Sequence, residues 1–493
     1  MTNAFQNATK LRAWADLVGR GADPTGVGYS DAALALAMAT GKPIRPGPGT
    51  FRFASPINRT LAMGQDFVIE GDGAEVTRFV FDDTATSGIS IKYSTNFAGQ
   101  AQGNKTAVRV TGMDIETNRA GGGAAISITN TPPAGQVNET QVAVDLTDLR
   151  INGATNAAYW DTHIELTNVT FPNIQNVTSQ DSADRGIGIS INSTGDYAGV
   201  EYTVTNYRSN EIGTALKVRG RTEGVYLHNA AIVGGVSGID WIATVVAGGK
   251  KPLLNMTGSH INVSGTAVKA VDVAQIIADS TLIYVTNSTT VEGLAFDFQA
   301  TGALSNENHQ ITGVTVIGLG TRAASLSKAI KIGANVAGCV VDALIDNFNV
   351  AIANAGNNNF ISPGTKISNS ITRTTGFNGL GAYGEIGTTA SVDGSLQVEF
   401  SDGTNYVRDQ AREQVRVETF VRIAGAANET FTRTLARPFR TDTSCVVACF
   451  GEAVGSAAVG LATAASTATE VSFALSGATP GGTYRINYIA YGY

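Results

Sequence analysis

The chain is poor in charged residues, which make up only 15% of its 493 positions, and its net charge is −7. It is also poor in the Glu, Lys and Leu mixture of helical proteins, and rich instead in Gly, Ser, Thr and Asn, which is typical of a β-rich, turn-rich protein. A net-acidic chain is a poor general binder of nucleic-acid phosphates, so this class is disfavoured. A polysaccharide partner, which is often neutral or acidic, remains compatible with this balance of charge.

Cysteine and histidine are scarce as well. Three cysteines, Cys339, Cys445 and Cys449, are too few for a disulfide framework in a chain of this length, and we expect all three to be reduced and buried. The four histidines are scattered, and neither a His-x-x-x-His nor a Cys-x-x-Cys spacing occurs, so we predict no metal site and no cofactor. A Gly-x-Ser-x-Gly elbow and a P-loop are also missing, which leaves nucleophilic serine chemistry without support.

Long apolar runs are missing too. The amino terminus lacks the apolar core of a signal peptide, and no uninterrupted apolar stretch is long enough to span a bilayer. We therefore expect a soluble product that is made in a cytoplasm, whatever its later location.

What the sequence does contain is a repeat of short alternating apolar runs between about Val200 and Phe377. Each pass has one apolar run, a bend with a small or amide residue, and a second apolar run, at an irregular spacing of about 21 to 38 residues. One pass cannot bury its apolar face alone, whereas passes stacked about 4.8 Å apart enclose a continuous core. The pattern predicts a parallel β-solenoid. An antiparallel sandwich of short strands is the weaker alternative, because hairpin signals such as Asn-Gly between the strands are scarce.

The segment from Gly21 to Phe53 joins a Gly-rich turn, a helix-forming stretch after Ser30, and the turn RPGPGTF that begins at Arg45. This order resembles the amino-terminal motif of pectate-lyase-like right-handed β-helix proteins. The resemblance implies a short helix that caps the open end of the solenoid, and a first coil that begins at the Pro-Gly-Thr strand. An open end would otherwise expose core and unpaired strand edges.

The end of the chain, INYIAYGY from Ile486 to Tyr493, resembles the carboxy-terminal lectin-like domain of bacteriophage tail fibres, with Tyr488 in place of their tryptophan. A solenoid followed by such a domain resembles phage tailspikes. This resemblance implies a virion location, a homotrimer, a bacterial surface polysaccharide as partner, and attachment to the baseplate or a tail adaptor through the N-terminus. It implies no partner of nucleic acid or membrane.

These observations predict an all-β chain with four parts. Residues 1–49 form an N-terminal segment with the capping helix, and residues 50–377 form a right-handed parallel β-helix of about eleven or twelve turns. Residues 378–410 form a linker or neck, and residues 411–493 form a C-terminal β-sandwich for trimerisation or carbohydrate binding.

Carboxylates are the best catalytic candidates, because cleavage of a glycosidic bond needs an acid and a base or nucleophile, about 5 Å apart for retention and about 6.5–9.5 Å apart for inversion. The densest stretch is YWDTHIEL, which ends at Leu166, and alternation with inward Ile164 and Leu166 predicts that its acidic and histidine side chains point outward. Aligning the bends at Asn168 and Asn206 places a further glutamate beside them. With one aspartate from a long neighbouring loop, the candidate catalytic residues are Asp161, His163, Glu165, Glu201 and Asp184.

The same strand and two long neighbouring loops supply the candidate substrate-binding residues. Arg185 is suited to hold the carboxylate of an acidic sugar, and Trp160 and Tyr197 are suited to stack on sugar faces. If the reaction is β-elimination on a uronic acid, His163 serves as base and Arg185 neutralises the carboxylate. The sequence leaves open whether the enzyme is a hydrolase or a lyase. It also leaves open whether the active cleft lies within one chain or between two chains.

Two further features have simpler interpretations. Lys217, Asp240 and Lys269 fall in one outward column with alternating sign, which predicts a surface charge ladder of little energetic value. Trp241 aligns with inward Val218 and is predicted to lie in the core.

The leading hypothesis is a phage tailspike that binds and depolymerises a capsule, exopolysaccharide or O-antigen by glycosidic hydrolysis or β-elimination. The alternative is a non-enzymatic tail fibre that binds its glycan receptor without cutting it. A free, secreted pectinase-like enzyme is disfavoured by the missing signal peptide.

Overall fold

The structure is a computed structural model of a chain that divides into two compact units, residues 1–381 and 382–493. In the first unit it describes residues 14–62, 64–94, 106–131, 142–194, 199–244, 252–302, 309–356, 359–362 and 365–370, with strand 372–375 as backbone alone. In the second unit it describes the backbone of the strands only.

The strands of the first unit belong to one continuous, 31-stranded arrangement. They begin with β1 (Ala15–Asp16), β2 (Thr25–Tyr29), β3 (Ile44–Arg45), β4 (Gly49–Phe53), β5 (Ile57–Leu61), β6 (Phe67–Glu70), β7 (Thr77–Phe81), β8 (Ile89–Tyr93), β9 (Ala107–Thr117), β10 (Ala124–Asn130) and β11 (Ala143–Gly153). They continue with β12 (Thr162–Thr167), β13 (Pro172–Ser193), β14 (Tyr202–Thr205), β15 (Arg208–Gly220), β16 (Gly224–His228), β17 (Ala231–Gly235), β18 (Ser237–Ala243), β19 (Leu253–Thr257), β20 (His260–Val263) and β21 (Thr266–Val271). The last are β22 (Gln275–Asp279), β23 (Leu282–Thr286), β24 (Leu294–Gln299), β25 (Gln310–Leu319), β26 (Lys328–Ile332), β27 (Val340–Asp346), β28 (Val350–Asn354), β29 (Phe360–Ile361), β30 (Lys366–Ser368) and β31 (Thr372–Thr375).

These strands form three parallel sheets that the chain visits in turn, which is the architecture of a β-helix. In one coil, β16 belongs to the first sheet, β17 to the second and β18 to the third, and each pairs in parallel with its counterparts in the coils before and after. The longest strands, such as β13, bend through more than one sheet. Twelve coils follow one another, and their first-sheet strands are β3, β6, β9, β11, β13, β14, β16, β19, β22, β25, β27 and β29.

Alternation along each strand fills the interior with apolar columns. One column of the third sheet contains Ile91, Ile128, Leu166, Ile191 and Val218, all of them fully buried. The next coil places Trp241 in this column, where it is buried as the sequence predicts. Cys339 is likewise a buried free thiol, as expected.

The corner between the first and second sheets is a bend of one residue in the left-handed conformation. It is made by Asp148, Asn176, Asn206 and Asn229 in four successive coils, with φ between 53° and 55°. Their side chains form a ladder, in which Asn176 donates to Asp148 (2.8 Å), Asn206 to Asn176 (2.9 Å) and Asn229 to Asn206 (2.7 Å). Asn and Asp tolerate this conformation and satisfy exposed polar groups, so the repeated bends that the sequence indicates are confirmed.

One α-helix, α1 (Asp31–Met38), lies between β2 and β3. It follows Ser30, as the sequence predicts, and the Asp31 carboxylate accepts hydrogen bonds from the amides of Ala54 and Ser55. Leu34 and Ala37 on its buried face join the hydrophobic core. In the described part of the chain, no helix has the length and apolar character needed to cross a membrane.

The second unit contains antiparallel sheets. β32 (Ile386–Ala390), β33 (Leu396–Ser401) and β34 (Tyr406–Val407) form one three-stranded sheet. Two more three-stranded sheets are formed by β35 (Gln414–Ile423), β37 (Val446–Ala453) and β40 (Thr483–Gly492), and by β36 (Asn428–Thr434), β38 (Gly460–Ser466) and β39 (Glu470–Ser476).

The number of strands per coil differs from the sequence prediction. Two apolar runs per pass were expected, whereas each coil has three strands. The run that ends at Asn206 and the run that ends at Val218 belong to the first and third sheets, and Arg208–Asn210 pair between them in the second. In this coil the paired segment of the middle strand is only three residues long, so no alternating run marks it in the sequence.

Candidate functional site

The most distinctive polar site lies at the corner between the second and third sheets, in three successive coils. We call Tyr159, Asp161, Asp184, Arg185 and Glu211 the corner cluster. Asp184 and Glu211 occupy equivalent positions in adjoining coils, because Arg185 pairs with Ile212 immediately after them. Their backbones are therefore one strand spacing apart, about 4.8 Å.

The backbone at this corner turns through left-handed residues in successive coils. Asp184 and Glu211 each have φ of 53°, and Gly234 has φ of 79° at the equivalent place in the next coil. Glycine accepts this conformation freely, whereas a glutamate there is uncommon and strained. Glu211 is half-buried and Asp184 is exposed.

The side chain of Arg185 is held in the corner cluster by neighbouring protein groups. Its guanidinium donates to both carboxylate oxygens of Asp181, at 2.6 and 3.1 Å, and to the carbonyl of Asn156 at 2.8 Å. Its carbon atom lies 4.2 Å from the centre of the Tyr159 ring, a cation–π contact. The arginine is thus held in place by protein groups on three sides.

Asp184 is the carboxylate with an altered acidity. Partial burial, and then the negative charge of Asp181, raise the pKa of Asp184 above its usual value of 3.8. A raised pKa favours the protonated form, which is the form that a general acid needs.

Asp161 is level with Gly186 of the next coil, two residues after Asp184, because Thr162 pairs with Ile187. It is exposed, and its Oδ2 accepts a hydrogen bond of 3.2 Å from the amide of Gly123. A Cβ placed on Gly121 would meet Asp161 Oδ1 at 3.4 Å and the Tyr159 hydroxyl at 3.6 Å, so both polar groups lie beside the Cα of Gly121.

Glu165 lies on the outer face of the third sheet, as predicted, but outside the corner cluster. It is four residues beyond Asp161 on the strand, about 13 Å away at the rise of an extended chain. Its Oε2 accepts a hydrogen bond of 3.0 Å from Ser127. The charge ladder follows in the same outward column, where Lys217, Asp240 and Lys269 pair in register as the sequence predicts.

The predictions for Trp160 and His163 are wrong, because both side chains are buried. Trp160 is fully buried and meets the Phe81 ring edge-on at 5.8 Å, so it has no face to offer a sugar. His163 is 1% exposed, burial lowers its pKa to about 4, and the charge of Asp181 opposes that shift. Strands of the third sheet begin with two consecutive buried residues, such as Ala125 and Ile126, and His163 occupies the first of these positions.

The predicted placement of Glu201 beside His163 is also wrong. The strand that follows Glu201 belongs to the first sheet, where Thr203 pairs with Asn173 and Tyr226. Glu201 is exposed at the corner between the third and first sheets and lies against Gly224. Tyr197 lies outside the described residues.

Glu211 and Tyr159 are members of the corner cluster that were not predicted from the sequence. The available signal was an acidic residue directly before a Gly-containing strand start in two successive passes, DRGIGI and EIGTAL. Within the residues that the structure describes, no group of three or more His, Cys, Asp or Glu side chains is arranged to hold a metal ion.

Comparisons with known proteins find similarity among solved structures. No protein-family model matches the chain, and no curated protein matches it. The tailspike protein gp49 from Pseudomonas phage LKA1 aligns with 97% of this chain and 99% of its own, at 11% identity and a TM-score of 0.38. The tailspike protein of E. coli bacteriophage HK620, in complex with a hexasaccharide, aligns over 99% and 94% at 10% identity and a TM-score of 0.40.

A mannuronan C-5 epimerase module from Azotobacter vinelandii is similar over 73% of this chain and 99% of its own, at 11% identity and a TM-score of 0.40. Strand pairing within the chain itself establishes the β-helix.

Proposed function

We propose that this chain is a phage tailspike subunit that binds a bacterial surface polysaccharide and hydrolyses a glycosidic bond at the corner cluster. The observation that carries the proposal is the pair of carboxylates, Asp184 and Glu211, at equivalent positions of adjoining coils. Their backbones lie one strand spacing apart, about 4.8 Å, and we propose that rotation of the Glu211 side chain brings the two carboxyl groups to about 5 Å, the separation in a retaining glycosidase.

In this proposal Asp184 is the general acid, because its raised pKa keeps it protonated at higher pH than an ordinary aspartate. It donates its proton to the leaving glycosidic oxygen while Glu211 attacks the anomeric carbon and forms a covalent intermediate. Water then hydrolyses that intermediate, with Asp184 acting as base, and the configuration is retained.

The remaining members of the corner cluster bind the sugar. Tyr159 offers an aromatic ring that Arg185 holds in place from one side. Asp161 is exposed beside the Tyr159 hydroxyl and accepts hydrogen bonds from sugar hydroxyls.

Hydrolysis is favoured over β-elimination by the positions of the basic residues. Elimination on a uronic acid needs a base and a cation to neutralise the carboxylate. His163, the base that the sequence suggested, is buried, and Arg185 is already engaged by both oxygens of Asp181.

The proposal extends to the assembly of the protein. We place it in the virion tail as a right-handed β-helix with α1 as its cap, a C-terminal β-sandwich, and three chains in a homotrimer. Apolar residues on the outer face of the second sheet, including the exposed Leu319 and Leu344, support contacts between subunits. Sedimentation equilibrium tests the homotrimer. We expect a species with three times the chain mass of 51.0 kDa, and a species with the mass of one chain would contradict the trimer.

The catalytic proposal is tested by release of reducing ends from capsules and lipopolysaccharides of a bacterial panel. We expect wild type to release them, and Asp184→Asn and Glu211→Gln to lower kcat by about 10²-fold or more, because each removes a group that acts on the reacting bond. Asp342→Asn, which removes a half-buried carboxylate from the first sheet, is the matched control and should keep full activity.

Each other outcome has a defined meaning. Tight glycan binding without release on every host that the protein recognises would make it a receptor-binding fibre instead. If both variants still release reducing ends, the protein is an enzyme but the corner cluster is not its active site. Ultraviolet absorbance of an unsaturated product would contradict hydrolysis.

A further inference from the structure

An arginine occupies an inward-facing position in the first complete coil. Arg59 of β5 pairs with Ile91, which pairs with Ile128 and, through it, Leu166. These three partners are fully buried aliphatic residues, whereas Arg59 is half-buried. A cation therefore replaces an aliphatic side chain at the N-terminal end of this core column, where an unpaired charge is costly.

Arg59 lines a pocket of about 350 Å³ at this end of the β-helix. The other lining residues come from the turn after α1 and from the connection between β5 and β6, and they are Gly41, Lys42, Pro43, Gly64, Gln65 and Asp66. The volume lies near the lower end of ligand sites, which is enough for one sugar-sized molecule.

The pocket has an excess of hydrogen-bond donors. Among the described residues, the side chains of Lys42 and Arg59 form no ion pair and no hydrogen bond. Gln65 uses its carbonyl oxygen to accept from the amide of Ala62 at 3.1 Å, so its NH₂ group is directed elsewhere. The one acid of the pocket, Asp66, accepts a hydrogen bond of 2.9 Å from the amide of Ala107.

This arrangement differs from that of most arginines on the described β-helix. Seven of them form ion pairs with a carboxylate: Arg45, Arg52, Arg78, Arg109, Arg150, Arg185 and Arg219. Arg59 shares its pocket instead with a second cation, Lys42. The pocket is partly open to solvent and lined by two cations and one carboxylate, so it carries a net positive charge that attracts an anion.

We propose that this pocket binds a small anionic ligand, a carboxylate or phosphate carried on a single sugar. Arg59 binds the anionic group with its planar set of donors, and Lys42 and the Gln65 amide complete the site. The pocket lies at least three coils from the corner cluster, about 14 Å of strand spacing, so it is a separate site. It gives the protein a preference for acidic over neutral glycans that does not depend on cleavage.

Calorimetric titration of the full chain tests the proposal with glucuronic acid, glucose 6-phosphate, inorganic phosphate and neutral glucose. We expect the anionic sugars to bind and glucose to give no heat. Arg59→Leu should weaken binding of the anions at least tenfold, and Lys42→Gln should weaken it several-fold. Binding of inorganic phosphate alone would identify a free-anion site and contradict the sugar ligand.

Matched variants make the result interpretable. Leu is the residue of the same column at Leu166, so Arg59→Leu should keep the fold, and the exposed Lys42→Gln provides a second variant that leaves the core untouched. Lys92→Gln removes an equal charge from the exposed outer face one coil away and should leave binding unchanged. Equal binding by wild type and Arg59→Leu, or no binding up to ~50 mM, would overturn the proposal, whatever the outcome of the cleavage assays.

Discussion

At the scale of single residues, two buried histidines are the groups most sensitive to acid. His163 lies at the start of a third-sheet strand, and His309 stacks on Phe298 with ring centres 4.4 Å apart. His309 Nδ1 accepts a hydrogen bond of 3.1 Å from the amide of Ile276, which requires the neutral ring. Burial lowers the pKa of both histidines to about 4.

These pKa values predict a loss of stability on acidification. Between the unfolded value of 6.5 and the folded value of about 4, the unfolded chain binds a proton that the folded chain does not. The free energy of unfolding therefore falls as the pH falls through this window, by about 1.4 kcal/mol per pH unit for each histidine. We expect His163→Ala to reduce the dependence of the free energy of unfolding on pH by the contribution of one histidine, about 1.4 kcal/mol per pH unit. Denaturant unfolding at pH 7, 6 and 5 measures this dependence.

Ile164→Val is the control for this experiment, because it removes buried volume from the same strand without removing a titrating group. It should lower stability by about 1 kcal/mol at every pH and keep the wild-type slope. An unchanged slope in His163→Ala would show that the histidine is accessible to protons in the folded state.

At the scale of structural elements, the bends between the first and second sheets determine how one coil is joined to the next. Each bend places a single residue at positive φ, and its side chain hydrogen-bonds to the same position of the neighbouring coil. Asn tolerates positive φ and also forms the hydrogen bond to the neighbouring coil, whereas glycine only accepts positive φ.

Variants of Asn206 separate these two contributions. Asn206→Ala should destabilise the protein by about 2–3 kcal/mol, through the strained conformation and the two lost ladder hydrogen bonds. Asn206→Gly should recover about 1 kcal/mol of that loss, because glycine accepts positive φ. Thermal and denaturant unfolding measure both, with Thr205→Ala on the outer face as control. If the glycine variant is no more stable than the alanine variant, strain at positive φ does not contribute to the loss of stability.

These bends also explain which parts of the molecule were predictable. Alternation, the repeat and the Asn-rich bends are local properties, so the sequence predicts a β-solenoid with the correct inward residues in most coils. Asn168 and Asn206 are both left-handed bends, yet Asn168 ends a third-sheet strand and Asn206 a first-sheet strand. Short strands of all three sheets look alike in sequence, so aligning these bends put Glu201 in the wrong sheet.

The same limit applies to the candidate site. Asp161 was predicted from its strand, and Asp184 and Arg185 from a long loop, and the structure brings them to one corner. Glu211 was not identified, because its equivalence to Asp184 depends on a register shift in the pairing of β13 with β15. A local irregularity of this kind is fixed by contacts between coils and leaves no periodic signal in the sequence.

At the scale of the whole molecule, the β-helix places residues of successive coils side by side. Asp184 and Glu211 are 27 positions apart in the chain but one strand spacing apart in space. An elongated, regular surface of this kind suits an extended polymer, and a small cluster on one corner is enough to act on it. We propose that these two carboxylates act together on one glycosidic bond.

The most direct test is the anomeric configuration of the first product. Once a cleaved polysaccharide is found in the panel, proton nuclear magnetic resonance should be recorded in the first minutes of the reaction, before the product mutarotates. We predict that the new reducing end has the configuration of the bond that was cleaved, because the proposed mechanism brings the two carboxyls to about 5 Å and leaves no room for an intervening water. An inverted product would contradict the pairing of Asp184 with Glu211 as the catalytic site.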